Sequence, residues 1–166
     1  MENVNAINPK LATACQRTSA ACCRKGQLFI PDRELAALRA WLEAHPEEDR
    51  QAFEARLTPC EGFALYDQQD ACQFLNEDNR CRLHADKVKP SECFWWPLHV
   101  YRAADQDQLE VRVSTSCCQA HTHITADSTL VDDVVSAVDD LGADLFYRFR
   151  AVYQGSYSGR PLRKIP

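Results

Sequence analysis

Nine cysteines in 166 residues constrain this chain more than any other feature of its sequence. The count is odd, and two pairs, Cys22-Cys23 and Cys117-Cys118, are adjacent. Adjacent cysteines rarely bridge each other, because the small ring strains the peptide unit between them. Besides disulfide bonds, the other alternative is that the cysteines are unligated and pack as small apolar residues. Nine cysteines clustered around turns fit that alternative poorly. The pattern therefore indicates thiolate ligands of a metal.

All nine cysteines are candidate ligands at this stage, since residue type alone does not separate them. They are Cys15, Cys22, Cys23, Cys60, Cys72, Cys81, Cys93, Cys117 and Cys118. Thiolates are soft ligands that suit zinc in closed tetrahedral sites and iron in iron–sulfur clusters. The spacings contain no C-x-x-C pair, so they match neither a zinc ribbon nor a thioredoxin-like redox motif. Spacing alone therefore leaves the metal open.

The overall charge and the first residues limit which binding partners and which cellular compartment we expect. The net charge is −5, which argues against nucleic acid as a partner, because phosphate binding usually needs a concentrated basic face. The first thirteen residues contain no apolar stretch of the kind a secretory signal needs, and no apolar run approaches the ~18–20 residues that cross a bilayer. We therefore expect a cytoplasmic protein, where thiols stay reduced, with no membrane partner.

Apolar periodicity predicts an α+β fold: a small irregular cysteine-rich metal-binding domain with a β-hairpin and about three helices. Residues 33–44 repeat apolar positions at helical spacing, with Asp32 at the N-cap position, and a short second helix follows His45-Pro46. Alternation around Leu98–Tyr101 and Leu109–Val113 predicts a hairpin. A helical stripe from residue 130 to 152 contains Gly142, so one bent helix or two consecutive helices fit it. We expect one domain over 15–153, with tails at 1–14 and 154–166.

The middle of the chain resembles a known family. The stretch Cys72-Gln-Phe-Leu-Asn-Glu-Asp-Asn-Arg-Cys81-Arg-Leu-His84, followed by Lys89-Pro90-Ser-Glu-Cys93-Phe-Trp-Trp-Pro97, is similar to the YkgJ-type cysteine-cluster family (CxxCxxCC), a zinc- or iron-chelating domain. Cys22-Cys23 with the apolar segment and helix after it resembles the opening of that family, and Cys117 stands where its closing cysteine lies. The chain departs from the pattern at Thr18 and Ser19, where another cysteine is expected. Cys60 and Cys118 are additional, and either is a candidate replacement ligand.

The resemblance implies metal binding without naming a reaction. The family is similar to a flagellin lysine methylase with a related cysteine cluster, which favours an iron–sulfur cluster here, with zinc or mononuclear iron as the alternative. Three function classes stay open: a cluster-dependent enzyme, a structural zinc module that binds another protein, and an iron or zinc handling protein. Among the histidines, His84, His99, His121 and His123 are secondary candidates, and packing is the simpler explanation for each of them.

Overall fold

The structure is a computed structural model that describes residues 20–24, 26–105, 108–115, 124–153 and 159–166. Within these ranges the chain is α+β, with five α-helices and two three-stranded antiparallel sheets, which confirms the predicted fold class. The chain forms two compact units, one that ends at Phe94 and one from Trp95 to Pro166. In the described part of the chain, no helix is long and apolar enough to span a membrane.

The first unit combines three helices with a sheet whose strand order is β1-β3-β2. The helices are α1 (Asp32–Leu42), α2 (Glu47–Glu54) and α3 (Ser91–Trp95), whose last residue begins the second unit; the strands are β1 (Gln27–Pro31), β2 (Leu57–Pro59) and β3 (Phe63–Asp67). Short 3₁₀ turns cover Ala21–Cys23 and Arg82–His84. Strands β2 and β3 are not among the elements predicted from the sequence. Strand β3 is the central strand, so its run Phe-Ala-Leu-Tyr is buried throughout and lacks the alternation that identifies a half-exposed strand.

The core of the first unit follows from the helical repeat of α1. Leu35, Leu38 and Leu42 are all buried, and they form one cluster with Phe53 of α2 and Tyr66 of β3. The Phe53 and Tyr66 rings stack with their centroids 5.3 Å apart. These rigid aromatic contacts hold both helices against one face of the sheet.

The start of α1 differs by one residue from the prediction. Asp32 is the first helical residue, and Pro31 holds the N-cap position in an extended conformation. The Asp32 amide donates to the Gly62 carbonyl at 3.1 Å, so the continuing sheet provides an acceptor for one of the first backbone amides of the helix, which have no partner within it. The Asp32 carboxylate still lies in the first turn, where the helix dipole favours a negative charge.

The second unit contains the predicted hairpin and a third strand. Its elements are β4 (Leu98–Arg102), β5 (Leu109–Ser114), α4 (Thr129–Leu141), α5 (Ala143–Val152) and β6 (Gly159–Lys164), in a sheet of order β4-β5-β6. Leu98 pairs with Val113 and Val100 with Val111, so the apolar positions of the hairpin share one face. Strand β6 lies in the segment assigned to a C-terminal tail by the sequence, and it pairs with β5 along a bulged register. The predicted N-terminal tail, residues 1–14, lies outside the described residues.

Gly142 resolves the choice between one bent helix and two helices. It has φ of +88° and ψ of 129°, which ends α4 and begins α5. Residues with a Cβ atom rarely adopt that conformation, so glycine permits the break. The total of five α-helices in the described ranges exceeds the expected three because of this break and because of the short helix α3, which is only one turn long and leaves little periodicity in the sequence.

Candidate metal centre

Two candidate ligands meet at one end of the first sheet. Cys23 closes the 3₁₀ turn just before β1, and Cys72 lies in the segment just after β3. Strands β1 and β3 are antiparallel, with Gln27 opposite Asp67, so the start of one lies beside the end of the other. The Cys72 amide donates to the Cys23 carbonyl at 2.6 Å, which ties the two cysteine backbones together.

The loop between Cys72 and Cys81 returns the chain to the same place. The Leu75 amide donates to the Cys72 carbonyl at 3.0 Å, and Leu75 forms an isolated antiparallel bridge with Cys81. The turn between them is closed by the Asn79 amide, which donates to the Asn76 carbonyl at 3.0 Å, and Asn79 has φ of +60°. Asparagine tolerates this left-handed conformation better than most residues. Local turn chemistry therefore brings the second and third thiols together.

The fourth thiol comes from the short helix α3. The Cys93 amide donates to the Pro90 carbonyl at 3.0 Å, which closes the first turn of that helix. Cys93 is half-buried as a residue, but protein encloses its thiol, and this burial raises the pKa of Cys93 well above its ordinary value. The thiolate form is costly in such surroundings unless a cation accompanies it.

Three of these thiols have a pKa that the charges of the others raise. Burial, together with the charges of Cys23 and Cys81, raises the pKa of Cys72 to about 11. Burial also raises the pKa of Cys81, with Cys23 among the neighbouring charges that add to it. Cys72, Cys81 and Cys23 likewise all raise the pKa of Cys93. The "cysteine group" below means these four residues, Cys23, Cys72, Cys81 and Cys93.

Among the described residues, Lys89 is a cation close enough to oppose the repulsion between these thiolates. The charge of Lys89 lowers the pKa of both Cys81 and Cys93, although burial outweighs it in each case. The ammonium of Lys89 lies 5.1 Å from the centroid of the Phe94 ring, which keeps it beside α3. A single ammonium does not offset four thiolates, so a bound metal cation would provide the charge that this group lacks.

The donor chemistry of the group fits zinc or iron. Four sulfur donors come from four separate segments, and soft thiolates suit zinc and iron rather than magnesium or calcium. Cys72, Cys81, Cys93 and the more distant Cys60 are outside any disulfide. Within the described ranges, no set of three or more His, Cys, Asp or Glu side chains has the spacing that identifies a metal-ion site. The fit therefore rests on the type, number and burial of the donors.

The structure separates Cys60 from the cysteine group. Its amide donates to the Phe63 carbonyl at 2.8 Å, so it lies at the start of β3, whereas Cys72 follows the end of that strand. Five residues of strand span roughly 14 Å, which is too far for two ligands of one ion. Cys60 lines a shallow surface cavity of about 270 Å³ beside the ion pair of Arg39 and Glu54. Cys22 is half-buried next to Cys23, while Cys15, Cys117 and Cys118 lie outside the described residues.

The histidines that are secondary candidates also differ in whether they lie near the cysteine group. His84 follows Cys81 in the second 3₁₀ turn, its ring centroid lies 5.9 Å from that of Phe94, and burial lowers its pKa. His99 is buried in β4 with edge contacts to Trp96 and Tyr101, which is the packing role expected of it. His121 and His123 lie outside the described residues.

The sequence gives no signal for two buried carboxylates beside the cysteine group. Glu92 is buried and Glu34 is largely enclosed, and both accept hydrogen bonds at or near α3. In the sequence each looks like an ordinary acidic residue of a solvated helix face. Only the approach of α1 and β1 to α3, which joins residues about 60 positions apart, reveals them.

The comparison with protein families identifies the cysteine pattern. A family model described as "CxxCxxCC: Putative zinc- or iron-chelating domain" matches residues 14–119, which is more than half of the chain. The chain belongs to this family. Membership confirms the resemblance inferred from the motif around Cys72, Cys81 and Cys93, and it assigns the chain to a zinc- or iron-chelating domain at that level of description. Comparisons with curated proteins and with solved structures found no match.

Proposed function

We propose that this chain binds a metal centre through thiolates, with Cys23, Cys72, Cys81 and Cys93 as ligands, and that the centre is an iron–sulfur cluster. The observation that carries the proposal is that these thiols come from four segments and lie close enough for the charge of Cys23 to raise the pKa of the other three. When bound, such a centre supplies either electron transfer or a Lewis-acidic iron. The residues of the chain enclose the centre and hold its ligands in place.

Several features support sulfur-only ligation of iron. Protein encloses the Cys93 thiol, which limits access of water and oxygen to that side of the group, and all four members are sulfur donors. Three further cysteines, Cys15, Cys117 and Cys118, stand in or at the edge of the matched region and could complete the set or form a second one. Zinc is the second candidate, because the family description includes it and four thiolates satisfy its tetrahedral preference.

Cys60 is the matched control for the test of this proposal. The protein and its Cys23→Ser, Cys72→Ser, Cys81→Ser, Cys93→Ser and Cys60→Ser variants are purified anaerobically, and iron, zinc and acid-labile sulfide are measured together with the visible spectrum. We expect brown wild-type protein with iron and sulfide, loss of both in the four group variants, and wild-type content in Cys60→Ser.

Each alternative result has a distinct meaning. The wild-type protein could instead be colourless and contain stoichiometric zinc that the same four variants lose. That result would support the same ligand set and would mean that the bound metal is zinc. Metal loss in Cys60→Ser that equals the loss in the group variants would refute the ligand set. Folded wild-type protein without metal after anaerobic purification would refute metal binding itself.

A further inference from the structure

The helix that carries Cys93 is too short to hold itself in place. Helix α3 has five residues, and a helix of little more than one turn is unstable in isolation because its few hydrogen bonds do not offset the ordering of the backbone. Tertiary contacts must therefore determine where α3 lies and how it is rotated about its axis. Two of those contacts come from carboxylates that the sequence does not single out.

Glu92 joins α3 to the outer edge of the first sheet. Its carboxylate accepts a hydrogen bond from the Phe29 amide at 2.6 Å, and Glu92 is only 9% exposed. Strand β1 is an edge strand, and the bonds of Asp32 to Gly62 and of Gln68 to Gly26 show that even-numbered residues of β1 bond to β3. The amide of Phe29 therefore points away from β3, towards the open edge where Glu92 accepts from it.

Glu34 holds the beginning of the same helix. One oxygen of its carboxylate accepts from the Ser91 amide at 2.9 Å, and the other accepts from the Ser91 hydroxyl. Residues 91 and 92 are thus anchored to α1 and to β1 respectively, by ionisable groups held away from solvent. Hydrogen bonds to a carboxylate are roughly twice as strong as those between neutral groups, and they repay part of the cost of burying it.

This inference rests on the proposed function. We propose that Glu92 is a positioning residue for the metal centre, because it sets the direction of the Cys93 thiol. Consecutive residues of a helix point about 100° apart around its axis. When Glu92 is held at the Phe29 amide, the rotation of α3 is set, and with it the direction of the Cys93 side chain. Glu34 supports this arrangement by holding the first residue of α3 in place.

The test measures Co²⁺ binding to reduced, metal-free full-length protein, because the sulfur-to-cobalt absorption intensity counts bound thiolates. Glu92→Ala removes the acceptor, Glu92→Gln keeps an acceptor oxygen at the same reach, and Glu92→Asp keeps the charge but shortens the reach. Glu48→Ala, at an exposed glutamate of α2, is the matched control. The unfolding free energy of each metal-free variant is measured in parallel.

We expect Glu92→Ala to weaken Co²⁺ binding by about 10–100-fold and to lose about one thiolate's share of the absorption. Glu92→Asp should lose absorption in the same way while it remains folded, which keeps the test informative if Glu92→Ala does not fold. Glu92→Gln should bind within a few-fold of wild type, and Glu48→Ala should not differ from it.

Two outcomes would overturn the inference: a wild-type Co²⁺ spectrum in Glu92→Ala or Glu92→Asp, or a Glu92→Gln spectrum as weak as that of Glu92→Ala. Cys93→Ser separates this inference from the proposal on which it rests. If Cys93→Ser loses absorption and the Glu92 variants do not, only the positioning role fails. If Cys93→Ser keeps the full wild-type spectrum, the proposed ligand set fails as well.

Discussion

The raised thiol pKa values predict how many protons leave when metal binds at alkaline pH. At pH 9 a thiol with a pKa of about 11, as at Cys72, is about 99% protonated, whereas an ordinary thiol with a pKa near 8.5 is only about a quarter protonated. Metal binds the thiolate, so each protonated ligand releases its proton on binding. Burial raises the pKa of Cys81 and Cys93 in the same direction. We expect more protons per site than the roughly one that four ordinary thiols would release, because Cys72 alone releases about one.

Calorimetric titration of Zn²⁺ into reduced, metal-free protein measures this number, when it is repeated at pH 9 in two buffers of different ionisation enthalpy. Zn²⁺ is delivered from a weak chelator, and the titration of the chelator alone is subtracted. Cys72→Ser should release about one proton fewer, and Cys60→Ser should release as many as wild type. A wild-type release of about one proton would refute the reasoning, because it would mean that the thiols titrate as if they were exposed to water.

The same shifts give the stability of the metal-free protein a definite pH dependence. A thiol whose pKa is raised by folding holds its proton more tightly in the folded state, so stability is fully present below the unfolded pKa and is lost as pH rises through the folded one. For Cys72 this window runs from the ordinary thiol range of about 8.5–9.0 to about 11, and the shift corresponds to roughly 3 kcal/mol. Urea unfolding at pH 8 and pH 10 should show the loss, and Cys72→Ser should reduce it.

Two further predictions test other parts of the fold. Burial raises the pKa of Glu34, so its ionisation disfavours the folded state. In urea unfolding of the metal-free protein, Glu34→Gln should therefore gain stability relative to wild type as pH rises from about 4 to 7. A difference in unfolding free energy that stays constant with pH would contradict this. Gly142→Ala should lower the unfolding free energy by about 1–3 kcal/mol through backbone strain at its positive φ. A steric clash does not contribute, because no atom lies within 4 Å of the added methyl group. Unchanged thermal stability would contradict the strained conformation.

Helical and strand periodicity were sufficient to predict several elements. The leucines of α1, the hairpin of β4 and β5 and the interruption at Gly142 were all visible, because each depends on residues within a few positions of one another. Strand β3 and helix α3 were missed for opposite reasons. The first is buried on both faces and shows no alternation, and the second is too short to show a period.

The sequence by itself determined that this chain is a sulfur-rich metal-binding protein of a particular family, because the cysteine spacing around Cys72, Cys81 and Cys93 is local chemistry. Only the tertiary structure decided which of the described cysteines lie near each other in the chain's fold. Antiparallel pairing of β1 with β3 brings Cys23 to Cys72 and leaves Cys60 at the far end of the same strand. It also decided that Glu92 faces a backbone amide, since that contact joins residues 63 positions apart and depends on which edge of β1 the sheet leaves open.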